Sequence, residues 1–258
     1  MSLIRVDTDA RGVATVTLAR SDKHNALSAE MMTELERVAR GLAVDRAVRV
    51  VVLGAEGKTF CAGGDLAWMR AQFDMDADTR RVESQRIATV LGALYDLPQP
   101  LIGRVHGNAL GGGVGLVSVC DVAIGVSSAK LGFTETRLGL IPANIGPYVV
   151  ARMGATRASE VFMSARVFDA DEAVRLNLLS RTVDAADLDA AIEAELLPYL
   201  SCAPGAVADA KALMRDLAGR VTQRQVDMAI DALARRWQSD EAREGVGAFF
   251  DKRAPSWQ

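Results

Sequence analysis

Side chains that titrate near neutrality are scarce in this chain. Its 258 residues include two histidines, His24 and His106, and three cysteines, Cys61, Cys120 and Cys202. The cysteines are odd in number and far apart, with no CxxC pair and no histidine cluster. That excludes the usual zinc spacings and leaves reduced thiols as the simplest reading, so no metal site is expected. No GxSxG is present, which removes the nucleophile elbow of a serine hydrolase. Positive charge is not in excess either. The formal net charge is −3 with no basic stripe, which argues against a general nucleic-acid binder. The first residues lack the basic-then-apolar pattern of a secretion signal. The uncharged run from Val105 to Cys120 is broken by glycines and ends at Asp121, so it reads as buried interior and no membrane association is expected. Together these absences point to the cytoplasm. Internal repeats and low-complexity linkers are also missing.

What is present is an ordinary globular balance of 50% hydrophobic and 24% charged residues. Leu3 to Val6 and Val13 to Leu18 flank Asp9-Ala10-Arg11-Gly12 and predict a β-hairpin. Ser28 predicts the N-cap of a helix reaching about Ala43. The apolar runs Val48–Leu53, Leu101–Val105 and Val122–Val126 predict buried strands, with helices over Arg80–Asp96 and Val114–Cys120 between them. Gln72 to Thr79 reads as a polar loop. After Pro142 the pattern is helical, over 144–153, 158–164, 169–177, 187–200, 204–217 and 222–250. The expected organisation is an α/β core over residues 1–200 and a helical oligomerisation region over 201–258.

Two glycine-rich turns carry the functional signal. Phe60-Cys61-Ala62-Gly63-Gly64-Asp65-Leu66 and His106-Gly107-Asn108-Ala109-Leu110-Gly111-Gly112-Gly113 each follow an apolar strand and open a helix. Glycine lets backbone N–H groups approach a ligand, and a helix N-terminus leaves such donors unpaired with a partial positive charge behind them. Two turns brought together can aim two donors at one oxygen, an oxyanion hole built from backbone. Glu135 follows downstream, beside Phe133 and Leu138. Partial burial there would raise its pKa toward the value a proton-transfer group needs. Gly113-Val114-Gly115-Leu116-Val117-Ser118 falls one residue short of GxGxxG, and lies midway along the chain where a dinucleotide fingerprint does not belong.

The order Asn25-Ala26-Leu27, Phe60 to Leu66, Gly107 to Gly113, and Glu135 before Leu138-Gly139-Leu140-Ile141-Pro142 resembles the enoyl-CoA hydratase/isomerase (crotonase) family over nearly the whole chain. The resemblance implies a spiral of ββα units with a helical trimerisation region, assembled as a homotrimer or a dimer of trimers. It also implies an acyl-CoA thioester substrate and no separate cofactor, CoA being part of the substrate. By motif position it assigns the Ala62 and Gly112 N–H groups as oxyanion donors and Glu135 as the carboxylate that exchanges a proton with substrate carbon. It places Lys23, Ala26, Leu27, Gly63, Gly64, Asp65 and Leu66 along the CoA moiety, Asp65 also capping the helix after the first turn. Lys252 would reach a neighbouring subunit's CoA.

One position departs from the family pattern. Hydratases of the family carry a first glutamate two residues after the triple glycine, and Gly115 stands there. Three activities follow from the resemblance: hydration with water positioned by other means, isomerisation of the double bond with one carboxylate, or acyl-CoA binding without catalysis. Gly111 to Val117 and Leu138 to Val150 are similar to the bacterial 3-methylglutaconyl-CoA and isohexenylglutaconyl-CoA hydratases of leucine and terpenoid catabolism, which also have glycine there. The expected reaction is therefore hydration of a branched 3-methylglutaconyl-CoA-like substrate. Arg137 is a candidate partner for the substrate's own carboxylate.

Overall fold

The computed structural model describes residues 2–257. The hairpin forms as expected. Strands β1 (Ile4–Thr8) and β2 (Val13–Leu18) pair antiparallel, Ile4 opposite Leu18. Helix α1 (Ala29–Val44) starts where Ser28 accepts the Met31 N–H at 3.2 Å, and buries Met31, Met32, Leu35, Ala39 and Leu42. From there each unit sends its first strand to a large sheet and its second to a small one. β3 (Val50–Ala55) joins the large sheet and β4 (Thr59–Cys61) the small one, before α2 (Leu66–Ala71) and α3 (Ala77–Tyr95). β5 (Leu101–Val105) and β6 (Asn108–Leu110) repeat the division before α4 (Gly112–Ser118), and β7 (Val122–Val126) and β8 (Lys130–Gly132) repeat it again.

The chain then runs through α5 (Gly146–Met153), α6 (Ala155–Ser159), β9 (Val167–Asp169), α7 (Ala170–Arg175) and β10 (Arg181–Val183). Helices α8 (Leu188–Leu200), α9 (Pro204–Ala218), α10 (Gln223–Trp237) and α11 (Asp240–Phe250) complete it. The large sheet has the order β1-β2-β3-β5-β7-β10, parallel beyond the hairpin. The small sheet is β4-β6-β8-β9, parallel as far as β8. The valine-rich strands explain the large sheet. Val50 to Leu53 and Leu101 to Gly103 are buried, as strands covered on two faces must be.

Several sequence expectations shift. The helix expected from Arg80 starts at Ala77, where Asp76 accepts the Thr79 N–H at 2.8 Å. The helix expected over 158–164 ends at Ser159 and turns. The one expected over 222–250 breaks at Gln238–Ser239, where Ser239 caps α11. Asp169 caps α7 through the Glu172 N–H, while the Glu172 carboxylate pairs with Arg166 and Arg175 and does not reach back to close a capping box. α10 packs on α3 and α5, and Leu233, Trp237, Ala242 and Val246 form a second apolar cluster with Leu140 and Ala143.

Candidate active site

The small sheet positions the site. Its three parallel strands end side by side, and ligand sites in such sheets lie outside the carboxyl ends of the strands. β4 leads into Ala62-Gly63-Gly64 and α2, β6 into Gly111 and α4, and β8 into a short 3-10 helix over Glu135–Leu138. Gly63 has φ +95° and Gly111 φ +48°, both in the left-handed region. A Cβ on Gly63 would stand 3.0 Å from the Leu110 carbonyl oxygen and 3.5 Å from the Gly112 nitrogen. The two turns therefore touch, and only glycine allows it.

The expected pair of donors is corrected at one position. The Ala62 N–H is already donated to the His24 carbonyl at 3.0 Å, which removes it as an oxyanion donor. Gly64 and Gly112, one from each turn, both line the cavity, and neither backbone N–H has a hydrogen-bond partner among the described residues. Gly64 is held by a parallel bridge to Leu27, formed by Leu27 N–H to the Gly63 carbonyl (2.8 Å) and Asp65 N–H to the Leu27 carbonyl (3.1 Å). The Leu27 side chain packs against Gly112. Asp65 caps α2 as expected, accepting from Ala67 and Trp68 N–H at 2.9 and 3.1 Å, and pairs with Arg20 at 2.6 Å. Burial alone would raise the Asp65 carboxyl, but Arg20 and the Trp68 N–H outweigh it and hold it below the usual carboxylate range. Asn25, fully buried, ties the preceding loop to the Glu56 and Thr59 carbonyls, both at 2.8 Å.

The cavity between these turns has a volume of about 320 Å³, at the small end for ligand pockets. Glu135 is the one carboxylate among the described residues that line it. Its carboxyl group sits over Gly111, where a Cβ would come within 3.0 Å of Oε1. Oε2 is sealed from solvent and has no hydrogen-bond partner among the described residues. Burial pushes its pKa up to about 7, against a weaker opposing pull from the Glu135 and Thr134 N–H groups.

Gly115 does not face this space. A Cβ there would fall 2.5 Å from Ile145 Cγ2 and 3.0 Å from Leu91 Cδ1. Ile145, which lines the cavity, and Leu91 thus fill the room that a side chain at 115 would need.

Of the remaining expected residues, Ala62, Gly63 and Leu66 line the cavity, and Ala26 is buried behind it with its carbonyl accepting from Arg20 at 2.9 Å. Lys23 and Lys252 are exposed and lie outside the lining of their own chain's cavity. His24 and His106 do not line it either. His106 donates toward, or accepts at, no cavity group and is tied to the Gly57 carbonyl at 3.0 Å. Leu233, Trp237 and Phe249, which close the cavity from α10 and α11, escape the sequence reading. Nothing in the local pattern separates them from ordinary core positions.

The family profile for enoyl-CoA hydratase/isomerase matches residues 8–258. The chain belongs to this family. It is 30% identical over 261 residues to the mitochondrial methylglutaconyl-CoA hydratase of Mus musculus, covering 98% of this chain and 82% of that one. A crystal structure of an enoyl-CoA hydratase from Mycobacterium avium superposes with a TM-score of 0.88 at 32% identity, covering both chains fully. Pseudomonas aeruginosa AtuE gives a TM-score of 0.81 at 36% identity, covering 99% of each chain. The two-sheet arrangement is the crotonase fold of these enzymes, and the family binds acyl-CoA thioesters. Among the described residues no helix is long and apolar enough to cross a membrane.

Proposed function

We propose that this enzyme adds water to the double bond of a 2-enoyl-CoA. The observation that carries the reading is Glu135, the one carboxylate among the described residues lining the cavity, its Oε2 sealed and its pKa pushed up to about 7, beside two unpaired backbone donors. The Gly64 and Gly112 N–H groups polarise the thioester carbonyl. One such donor contributes on the order of 3 kcal/mol in comparable sites. Water oxygen bonds to C3 as the C2–C3 π pair moves toward the thioester oxygen. Glu135 takes a proton from that water and returns one to C2, so the carboxylate is regenerated. No further cofactor enters.

The substrate proposed is a branched 3-methylglutaconyl-CoA-like diacid. The name of the mouse relative supports this, as does Arg137, which lines the cavity mouth with Nη2 on the Ala165 carbonyl at 3.1 Å and the rest of its guanidinium unpaired among the described residues. Lys23, and Lys252 toward a neighbouring subunit, are the proposed contacts for the CoA phosphates. The proposed assembly is a homotrimer or a dimer of trimers, supported by the exposed Leu213, Met214 and Leu217 on α9. A second reading, double-bond isomerisation, is favoured by the apolar packing at Gly115, because one carboxylate suffices to move a proton between two carbons.

Turnover of 3-methylglutaconyl-CoA and crotonyl-CoA in ¹⁸O-labelled water separates these outcomes. Label in a hydroxylated product, formed much faster from the branched diacid, is the result expected. A shifted double bond without label identifies an isomerase. Tight binding of both esters with no turnover identifies an acyl-CoA binder.

A further inference from the structure

Among the side chains that line the cavity, three carry a sealed polar atom with no hydrogen-bond partner: Glu135 (Oε2), Asn144 (Oδ1) and Trp237 (Nε1). A buried polar group left unpaired costs roughly 1–3 kcal/mol, so a fold that keeps one against a ligand cavity invites a ligand atom as its partner. Trp237 can only donate, and sits on α10 with its ring against Phe73 at 5.0 Å. Gln72 and Ser84 also line the cavity, but they bond to each other at 3.1 Å. Asn144 is different. No hydrogen bond joins its carboxamide to any described residue, and that group offers both an acceptor and a donor.

Its place in the chain is equally informative. Asn144 precedes Ile145, the residue that fills the space over Gly115. The loop holding it is fixed on both sides, by Ala143 N–H to the Ile141 carbonyl (2.8 Å) and Gly146 N–H to the Ala143 carbonyl (3.2 Å). The segment that removes room for a second carboxylate thus carries a neutral amide into the same cavity.

We infer that Asn144 holds the attacking water in place of the absent glutamate. This rests on the hydration reading above. The carboxamide oxygen accepts one O–H of the water while Glu135 accepts the other. An amide cannot take the proton, so all proton transfer stays with Glu135 and the atoms balance as already written. Asn144 then contributes to C3–O bond formation and not to proton exchange at C2.

Two reactions of the same protein separate those roles. Hydration of the enoyl-CoA needs the held water, whereas deuterium uptake at C2 of a saturated ester such as 3-methylglutaryl-CoA in D₂O needs only Glu135 and the two N–H donors. In Asn144→Ala, hydration should fall about 10- to 100-fold, as for a misplaced reactant, while C2 exchange stays within about threefold. Asn144→Asp should recover hydration and add a second inflection to its pH profile, because two carboxyls in one cavity titrate apart. Equal loss of hydration and exchange in Asn144→Ala, or unchanged hydration, would overturn the inference alone. Wild-type enzyme that exchanges the C2 proton yet hydrates no enoyl-CoA would overturn the hydration reading and this inference with it.

Discussion

Burial raises the Glu135 pKa to near neutrality, and that burial has a cost in stability. Its pKa is about 7 in the folded chain, above the ordinary 4.5. Between those values the folded state binds more protons than the unfolded one, so stability falls as pH rises through that window. The difference amounts to about 3 kcal/mol at pH 8. Glu135→Gln should therefore melt higher than wild type at pH 8, with the gain vanishing below about pH 4.5. A thermal scan against pH checks this, and a gain independent of pH would place the cause elsewhere. Gly115 makes a packing prediction at the same scale. Gly115→Ala drives a methyl into Ile145 and should cost about 1–3 kcal/mol, as overpacking does. The double variant with Ile145→Ala should regain part of that loss in urea melts.

At the scale of elements, the cap of α2 couples stability to chemistry. Asp65 both satisfies the α2 N-terminus and follows the Gly64 donor directly. Asp65→Ala should cost about 0.5–2 kcal/mol for the lost cap. It should also lower kcat more than it raises KM, because the donor it orients acts most strongly on the developing charge. A variant losing stability with kcat intact would mean the cap does not fix the donor.

The helices and long strands were legible because they carry periodicity and capping residues, as Ser28 and the valine run at 50–53 do. The small sheet was not legible. β4, β6 and β8 are three residues each, too short to show an alternating pattern, yet they lead into the two glycine turns and Glu135. The glycine motifs located the two turns correctly but did not say which N–H was free. That depends on the His24 carbonyl, which arrives from a separate loop to occupy Ala62. The absence of a second carboxylate was readable at Gly115, whereas its cause, Ile145 and Leu91 in the same space, is a tertiary contact.

For the whole molecule, the C-terminal helices have a role in the cavity beyond any in assembly. Leu233, Trp237 and Phe249 close it, and Trp237 is 4% exposed within the second apolar cluster. Trp237→Ala should cost about 3–5 kcal/mol as a large-to-small core change and raise KM for the acyl-CoA. Calorimetric binding of a saturated acyl-CoA checks the second part, and unchanged affinity would remove these helices from the site.

In the proposed hydration, one carboxylate and two backbone donors perform the reaction. The measurement that tests it most directly is the pH dependence of 3-methylglutaconyl-CoA hydration by wild type and Glu135→Gln. A carboxylate that must be ionised to accept a proton gives a rate that rises with a single inflection near pH 7, and the variant should lose roughly 10²- to 10⁴-fold at all pH values. A variant that keeps the wild-type rate, or a wild-type profile flat from pH 5 to 9, would contradict that division of roles.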